Sequence, residues 1–299
     1  VPFVPVLIGD PDILATVAGI VKSELQIVPV RSAAEARQLP HNAVALFKPD
    51  GLEVPAQKWG ALDPANGHAA ARCLEASFDP AWDFDAVVSA PMNKESFHKA
   101  GFDYPDELSY MADLTKSRDT CTAGLAAGVW SVSVTEHVPF GNILPHLTTD
   151  SIFSRITVLD GILGRVSPEK RSIAVAALNP HAGEGGLLGN EEREIITPAV
   201  QKAVESGIDA AGPVPADTVF VDALEGKFAG VVCLYHDQAN IARKLLSKRG
   251  GATVFVGLPV PVATTAHGTA FDIAGTGKAN PDSLRTALHT AVALAGGTP

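Results

Sequence analysis

The chain has 299 residues, 46% of them hydrophobic and 19% charged, enough apolar material for one large α/β domain or two smaller ones and too much for a disordered chain. A formal net charge of -10 excludes nucleic acid or an anionic membrane surface as the expected partner, because both need clustered cations. Cys73, Cys121 and Cys233 are too few and too scattered for a disulfide framework or a cysteine metal site and fit a reducing cytoplasm. No apolar run has the length of a membrane span, and no basic-then-apolar leader opens the chain.

Short runs rich in Val, Ile and Ala alternate with longer helical patterns. Strands are expected over 4–8, 43–47, 86–89, 131–135, 173–178, 231–235 and 252–256. Several are apolar on both alternating faces, as strands buried between helix layers are, which predicts a mainly parallel, doubly wound sheet. Helical patterns cover 67–77, 149–163, 191–205 and 281–295. The third follows the glycine-rich stretch 183–189, with Asn190 as its expected N-cap, Glu191 and Glu192 set against the helix dipole, and Pro198 bending it. With no internal repeat and no low-complexity linker, a second domain is expected to form by the chain crossing over and returning.

His137, His181 and His236 each follow the end of a β-like run. In an open α/β sheet the carboxyl ends of parallel strands gather on one edge, where ligands bind, so three distant imidazoles can converge on a divalent metal. For proton transfer the candidates are Lys94, Asp217 and Asp237.

Asn179-Pro180-His181-Ala182-Gly183-Glu184-Gly185-Gly186, Tyr235-His236-Asp237-Gln238, Pro215-Ala216-Asp217-Thr218, Ala90-Pro91-Met92-Asn93-Lys94 and the segment 266–277 occur in order along one chain. Together they resemble the 4-hydroxythreonine-4-phosphate dehydrogenase family, from about Gly67 to the C-terminus. The resemblance implies a two-domain α/β/α architecture like that of the isocitrate and isopropylmalate dehydrogenases. The first domain would comprise 1–120 plus 258–299 and the second 121–257, with the active site in the interdomain cleft, completed by the second subunit of a homodimer. It implies an NAD- or NADP-linked enzyme that oxidises, and then decarboxylates, a β-hydroxy acid. The metal, zinc with cobalt or magnesium as substitutes, would be held by His137, His181 and His236, with His181 serving the partner's site. By similarity the loop 266–281 cradles the cofactor through His267, Gly268, Thr269, Ala270, Asp272, Gly275 and Asn280. Gly275 and Gly277 alone are no dinucleotide fingerprint, since the third glycine and the strand-turn-helix setting are missing.

Substrate contacts are expected at Asn93, Glu107, Leu108, Lys244, Thr253 and Val262. The chain departs from the family there: Glu107 and Leu108 stand where a histidine and a threonine are expected, and of a lysine–asparagine–arginine phosphate clamp only Lys244 remains, beside Thr253 and Val262. Losing the arginine fork removes a bidentate phosphate contact, unless Arg243, Lys248 or Arg249 compensates. The sequence reading therefore leans to a non-phosphorylated substrate such as the cis-dihydrodiol of terephthalate, with 4-hydroxythreonine-4-phosphate or the threonate and erythronate phosphates as the alternative. The family's opening glycine-rich signature is absent, and Gly9-Asp10-Pro11 reads as a later helix entry, so about one strand and a turn are expected ahead of Val1. Two further readings are a zinc hydrolase, which would have no use for the 266–281 loop, and a binding protein that has lost turnover.

Overall fold

The computed structural model describes residues 3–54, 58–246 and 251–296, and the chain divides into two compact units, Val1–Thr120 with Gly257–Pro299 and Cys121–Val256. The first unit begins with β1 (Val6–Ile8), α1 (Pro11–Ile20), β2 (Gln26–Pro29), α2 (Ala33–Ala36), β3 (Ala43–Phe47), α3 (Pro64–Ser77), β4 (Val87–Ser89), α4 (Lys94–Lys99) and α5 (Glu107–Thr115). The second contains β5 (Cys121–Ala126), β6 (Val129–Ser133), α6 (Thr149–Val166), β7 (Ile173–Ala176), α7 (Thr197–Glu205), β8 (Ala210–Val214), α8 (Val219–Leu224), β9 (Gly230–Cys233), α9 (His236–Leu246) and β10 (Gly251–Val256). The chain then returns to the first unit with β11 (Val262–Thr265) and α10 (Asp282–Leu294).

In the first unit β1, β3 and β2 form a parallel sheet in that order, and β4 pairs in parallel with β11. Its helices start where short polar side chains relieve the unpaired first-turn amides. Asp10 accepts from the amides of Asp12 and Ile13 at 3.0 and 3.2 Å, with Pro11 opening α1. Asp63, Asn93 and Asp106 cap α3, α4 and α5 in the same way.

The second unit's sheet runs β10-β5-β6-β9-β7-β8. Strands β6, β9, β7 and β8 are parallel, while β5 runs antiparallel to both β6 and β10. Every residue of β7 and β9 is buried, and α6 covers the sheet with Ile152, Ile156, Leu159 and Leu163, a helical spacing of fully buried side chains. The mixed α/β fold with a mainly parallel sheet is the one the apolar runs predict.

The differences are local. Strands β2, β5, β8 and β11 carry too few apolar residues in a row to announce themselves. β5, Cys-Thr-Ala-Gly-Leu-Ala, is a strand because β6 and β10 pair with it from both sides. The helix expected over 191–205 is a π turn, Glu192–Ile196, followed by α7, whose first turn takes Pro198 where its missing amide costs little. Asn190 caps through its main-chain oxygen, which accepts from Arg193 and Glu194, while its side chain accepts from the Arg193 guanidinium. Cys121 and Cys233 are buried, and desolvation pushes both thiols up, so neither is a nucleophile.

The β5–β6 hairpin turns at Ala127 and Gly128, with φ of 49° and 82°. Two positive φ values define a type I′ turn, which Asn-Gly fills with less strain than Ala-Gly. Ala127→Asn is expected to stabilise the protein by about 0.5–1 kcal/mol in urea unfolding; an unchanged or lower midpoint would contradict the turn.

Candidate active site

Because β6, β7, β8 and β9 are parallel, their carboxyl ends lie on one edge of the second unit's sheet, followed by His137, His181, Asp217 and His236. Side chains tie these ends together. The Gln238 amide donates to the Ala177 carbonyl at 2.8 Å, and its oxygen accepts from the Leu234 amide at 2.7 Å. Thr135 Oγ1 donates to the Leu234 carbonyl at 2.9 Å. One carboxamide thus joins the ends of β7 and β9, while the Thr135 hydroxyl reinforces the Leu234 carbonyl that the Thr135 amide also reaches at 3.2 Å.

That edge brings His137 and His236 together, with ring centroids 5.7 Å apart and planes inclined at 40°. Two imidazoles on one tetrahedral ion, each bound at about 2 Å, place their centroids about 5 Å apart, so the pair fits a shared cation. His236 Nδ1 and Asp237 Oδ1 are 2.7 Å apart, which leaves Nε2 as the outward nitrogen and makes Asp237 its orienting carboxylate. Burial pushes the Glu136 carboxyl up, against the opposing charges of His236, Arg243 and His137.

His181, which the resemblance assigns to the partner's site, does not join the pair within one chain. Among the described residues no group of three or more histidine, cysteine or carboxylate side chains is placed to hold a metal ion. His181 is exposed, in a loop that winds left-handed: His181, Ala182, Gly183, Glu184 and Gly185 have φ of 50°, 54°, 79°, 47° and 68°. Left-handed turns cost non-glycine residues about 1–2 kcal/mol each, and persist only where surroundings enforce them. Glu192 supplies part of that constraint. Rather than serving the helix dipole, it is buried and accepts from the Leu178 and Asn179 amides at 2.9 and 2.7 Å and from the Asn179 side chain at 2.9 Å. Burial pushes this carboxyl up, but the Asn179 and Leu178 donors outweigh it and hold it below its ordinary value.

On α9, Arg243 lies over Gly124 so closely that a Cβ there would come within 2.3 Å of the guanidinium, and its Nη2 reaches Thr253 Oγ1 at 3.5 Å. A guanidinium therefore does reach Thr253, from a different position than the family clamp predicts. Lys244 is exposed, and Val262 is fully buried in β11, so the valine packs in the core instead of facing a ligand. Lys248 and Arg249 lie outside the described residues. Asp217 is exposed just past β8.

In the first unit a cleft of about 230 Å³ is lined by Thr269 and Phe271 of the expected cofactor loop, by Lys58 and Trp59, and by Asn93. Asn93 also caps α4, accepting from the Ser96 amide at 2.8 Å, so it is a structural residue as well as a wall. In the loop, His267 Nδ1 lies 2.9 Å from the Gly268 carbonyl, and Asn280 accepts from the Asp282 amide at 2.8 Å to start α10. Ala270 is left-handed, Gly275 has φ of 75°, and Asp272 is exposed. Lys94 is exposed at the start of α4, and its charge acts on Glu107. Glu107 is bonded to the Ser89 hydroxyl; Leu108 beside it is buried, which corrects its assignment as a substrate contact. Sequence reasoning missed Trp59, Lys58, Glu192, Glu136 and the carboxamide of Gln238. Only Gln238 carried a signal, as the last residue of the Tyr-His-Asp-Gln motif.

A parallel α/β sheet with an imidazole pair at its strand ends is the frame of a ligand-binding enzyme, and the comparisons say of which kind. Residues 3–291 match the family described as Pyridoxal phosphate biosynthetic protein PdxA, and the chain belongs to that family. It is 40% identical over 252 residues to the D-threonate 4-phosphate dehydrogenase of Salmonella typhimurium, covering 84% of this chain and 76% of that one. The solved 4-hydroxythreonine-4-phosphate dehydrogenase of Burkholderia phymatum superposes with a TM-score of 0.81 at 34% identity, over 99% of this chain and 89% of the other. A terephthalate 1,2-cis-dihydrodiol dehydrogenase from Burkholderia xenovorans is more distant, with a TM-score of 0.68 and 25% identity over 97% and 89%. The lean to a terephthalate-type substrate is therefore not supported. It rested on the changed residues at Glu107, Leu108, Thr253 and Val262, and Arg243, named there as a compensating cation, does reach Thr253.

Glu107 yields a pH test. Burial raises its pKa above the ordinary 4.5, with Ser89 and Lys94 opposing and Asp106 reinforcing the shift. A carboxyl whose pKa rises on folding contributes stability below its unfolded pKa and loses it as pH climbs through the folded value. Glu107→Gln, neutral at every pH, should gain in melting temperature relative to wild type between pH 4 and pH 8. A gap that narrows with rising pH would contradict the burial of this carboxyl.

Proposed function

We propose that the protein is a metal-dependent, NAD- or NADP-linked dehydrogenase acting on a phosphorylated hydroxy acid of the D-threonate 4-phosphate or 4-hydroxythreonine-4-phosphate kind. The observation that carries the reading is the His137–His236 pair at the strand-end edge, with one imidazole oriented by Asp237, in a chain whose relatives are dehydrogenases. Those relatives also count against the zinc hydrolase. Among the described residues no helix is long and apolar enough to cross a membrane.

His137 and His236 would hold the divalent cation, which when bound lowers the pKa of a ligated substrate hydroxyl. Asp237 keeps the His236 ring turned with Nε2 outward, and Gln238 fixes the start of α9 that carries both. Separation of His181 from the pair supports assigning it to the site of a second copy of this chain in a homodimer. Arg243 with Thr253 offers charge and a hydroxyl for an anionic substrate group, and the loop 266–281 takes the dinucleotide. Asp217 and Lys94 remain the side chains proposed to accept the substrate proton. Oxidation of a hydroxyl β to a carboxylate gives a β-keto acid, which then loses carbon dioxide.

The test is reduction of NAD and NADP, followed by absorbance of the reduced nicotinamide, with both phosphorylated acids and the terephthalate dihydrodiol as substrates. Turnover is expected with a phosphorylated acid, abolished by His236→Ala. Turnover with the dihydrodiol alone would reverse the substrate reading, and metal binding without any turnover would leave the binding-protein reading. Asp237→Asn should weaken metal affinity about 10–100-fold by equilibrium dialysis, the usual loss for an orienting carboxylate. If metal affinity is unchanged and the pH–rate profile loses a limb, Asp237 is the base instead.

A further inference from the structure

Of the three tryptophans, Trp82 and Trp130 are buried at 4% and 5% exposure, whereas Trp59 is 43% exposed. A large apolar ring left in water is informative when its setting is built around it. Trp59 packs on Gly275, whose φ is 75° and where a Cβ would fall 2.6 Å from the indole Cγ. The turn that carries it is held by Gly60, with φ of 70°, where a Cβ would fall 2.6 Å from the Phe271 carbonyl oxygen. A side chain at either position would be strained and would collide, so two glycines press the 58–61 turn against the backbone of 271–275.

With one side of the indole on Gly275, Trp59 lines the cleft, together with the partly exposed ring of Phe271. Among the described residues lining it Lys58 is the only ionisable one, and Asn66 and Asn93 add amides. Rigid aromatic surface, neutral hydrogen-bonding groups and one cation suit a flat, uncharged heteroaromatic ring joined to an anionic group. A carboxylate substrate alone would leave the indole without a partner.

We propose that Trp59 is the stacking platform for the adenine of the dinucleotide, with Lys58 facing its phosphates. This deepens the dehydrogenase reading above and rests on it. Gly275 and Gly60 thereby acquire a role in ligand recognition that their place in a loop does not reveal.

The chain is titrated with ADP-ribose, AMP and nicotinamide mononucleotide, following tryptophan emission and the heat of binding. ADP-ribose and AMP are expected to quench emission, and the quench should vanish in Trp59→Phe, which retains a ring and most of the affinity. Trp59→Ala should weaken ADP-ribose about tenfold, within the range measured when an aromatic platform is truncated under a base. Gly275→Ala, whose methyl group displaces the indole, should weaken it similarly; circular dichroism checks that each variant is folded, and the two Trp59 variants decide if Gly275→Ala is not. Wild-type affinity in folded Trp59→Ala, or quenching by nicotinamide mononucleotide alone, overturns the platform while leaving NAD reduction by the wild type intact. A wild-type chain that neither binds nor reduces a dinucleotide overturns both readings.

Discussion

When a parallel strand ends, its last amides and carbonyls lose their ladder partners, and leaving one buried and unpaired costs about 1–3 kcal/mol. At the edge of the second unit this debt is met by side chains, Gln238 between Leu234 and Ala177 and Glu192 on Leu178 and Asn179, with the Thr135 hydroxyl adding to the main-chain bond on Leu234. These bonds hold the chain just before each histidine, so they decide where His236 and His181 leave the sheet. The imidazole pair depends on them as much as on the histidines themselves.

Carboxylates in the candidate site mostly hold other groups in place. Asp237 turns a ring, Glu192 anchors a left-handed loop, and Glu107 is tied to Ser89. For Glu192 and Glu107 this role follows from burial, since a carboxylate taken out of water survives only with donors around it, whereas Asp237 acts from the surface. Glycines do the complementary work, since Gly124 admits Arg243 and Gly275 admits Trp59 at distances no Cβ allows.

The strands that carry His137, His181 and His236 were legible because their runs are apolar on both faces, and the motifs around them name the family. The two-strand addition of β5 was not, since Cys-Thr-Ala-Gly-Leu-Ala has no alternation and gains its ladder from neighbours distant in sequence. Val262 and Leu108 were read as contacts by counting along the chain, but counting registers position and not the side of the backbone that faces the core. Arg243, one residue from the lysine that counting selected, was named beforehand as a compensating cation, but only the fold shows it at Thr253.

The order of apolar runs and the histidines that follow three strands were determined by the sequence alone, because each depends on neighbours within a few residues. Which imidazoles meet, which carboxylates are buried, and which glycines make room for Arg243 and Trp59 were decided only by the tertiary structure. Those properties arise from contacts between segments tens of residues apart, whose distances no local pattern encodes.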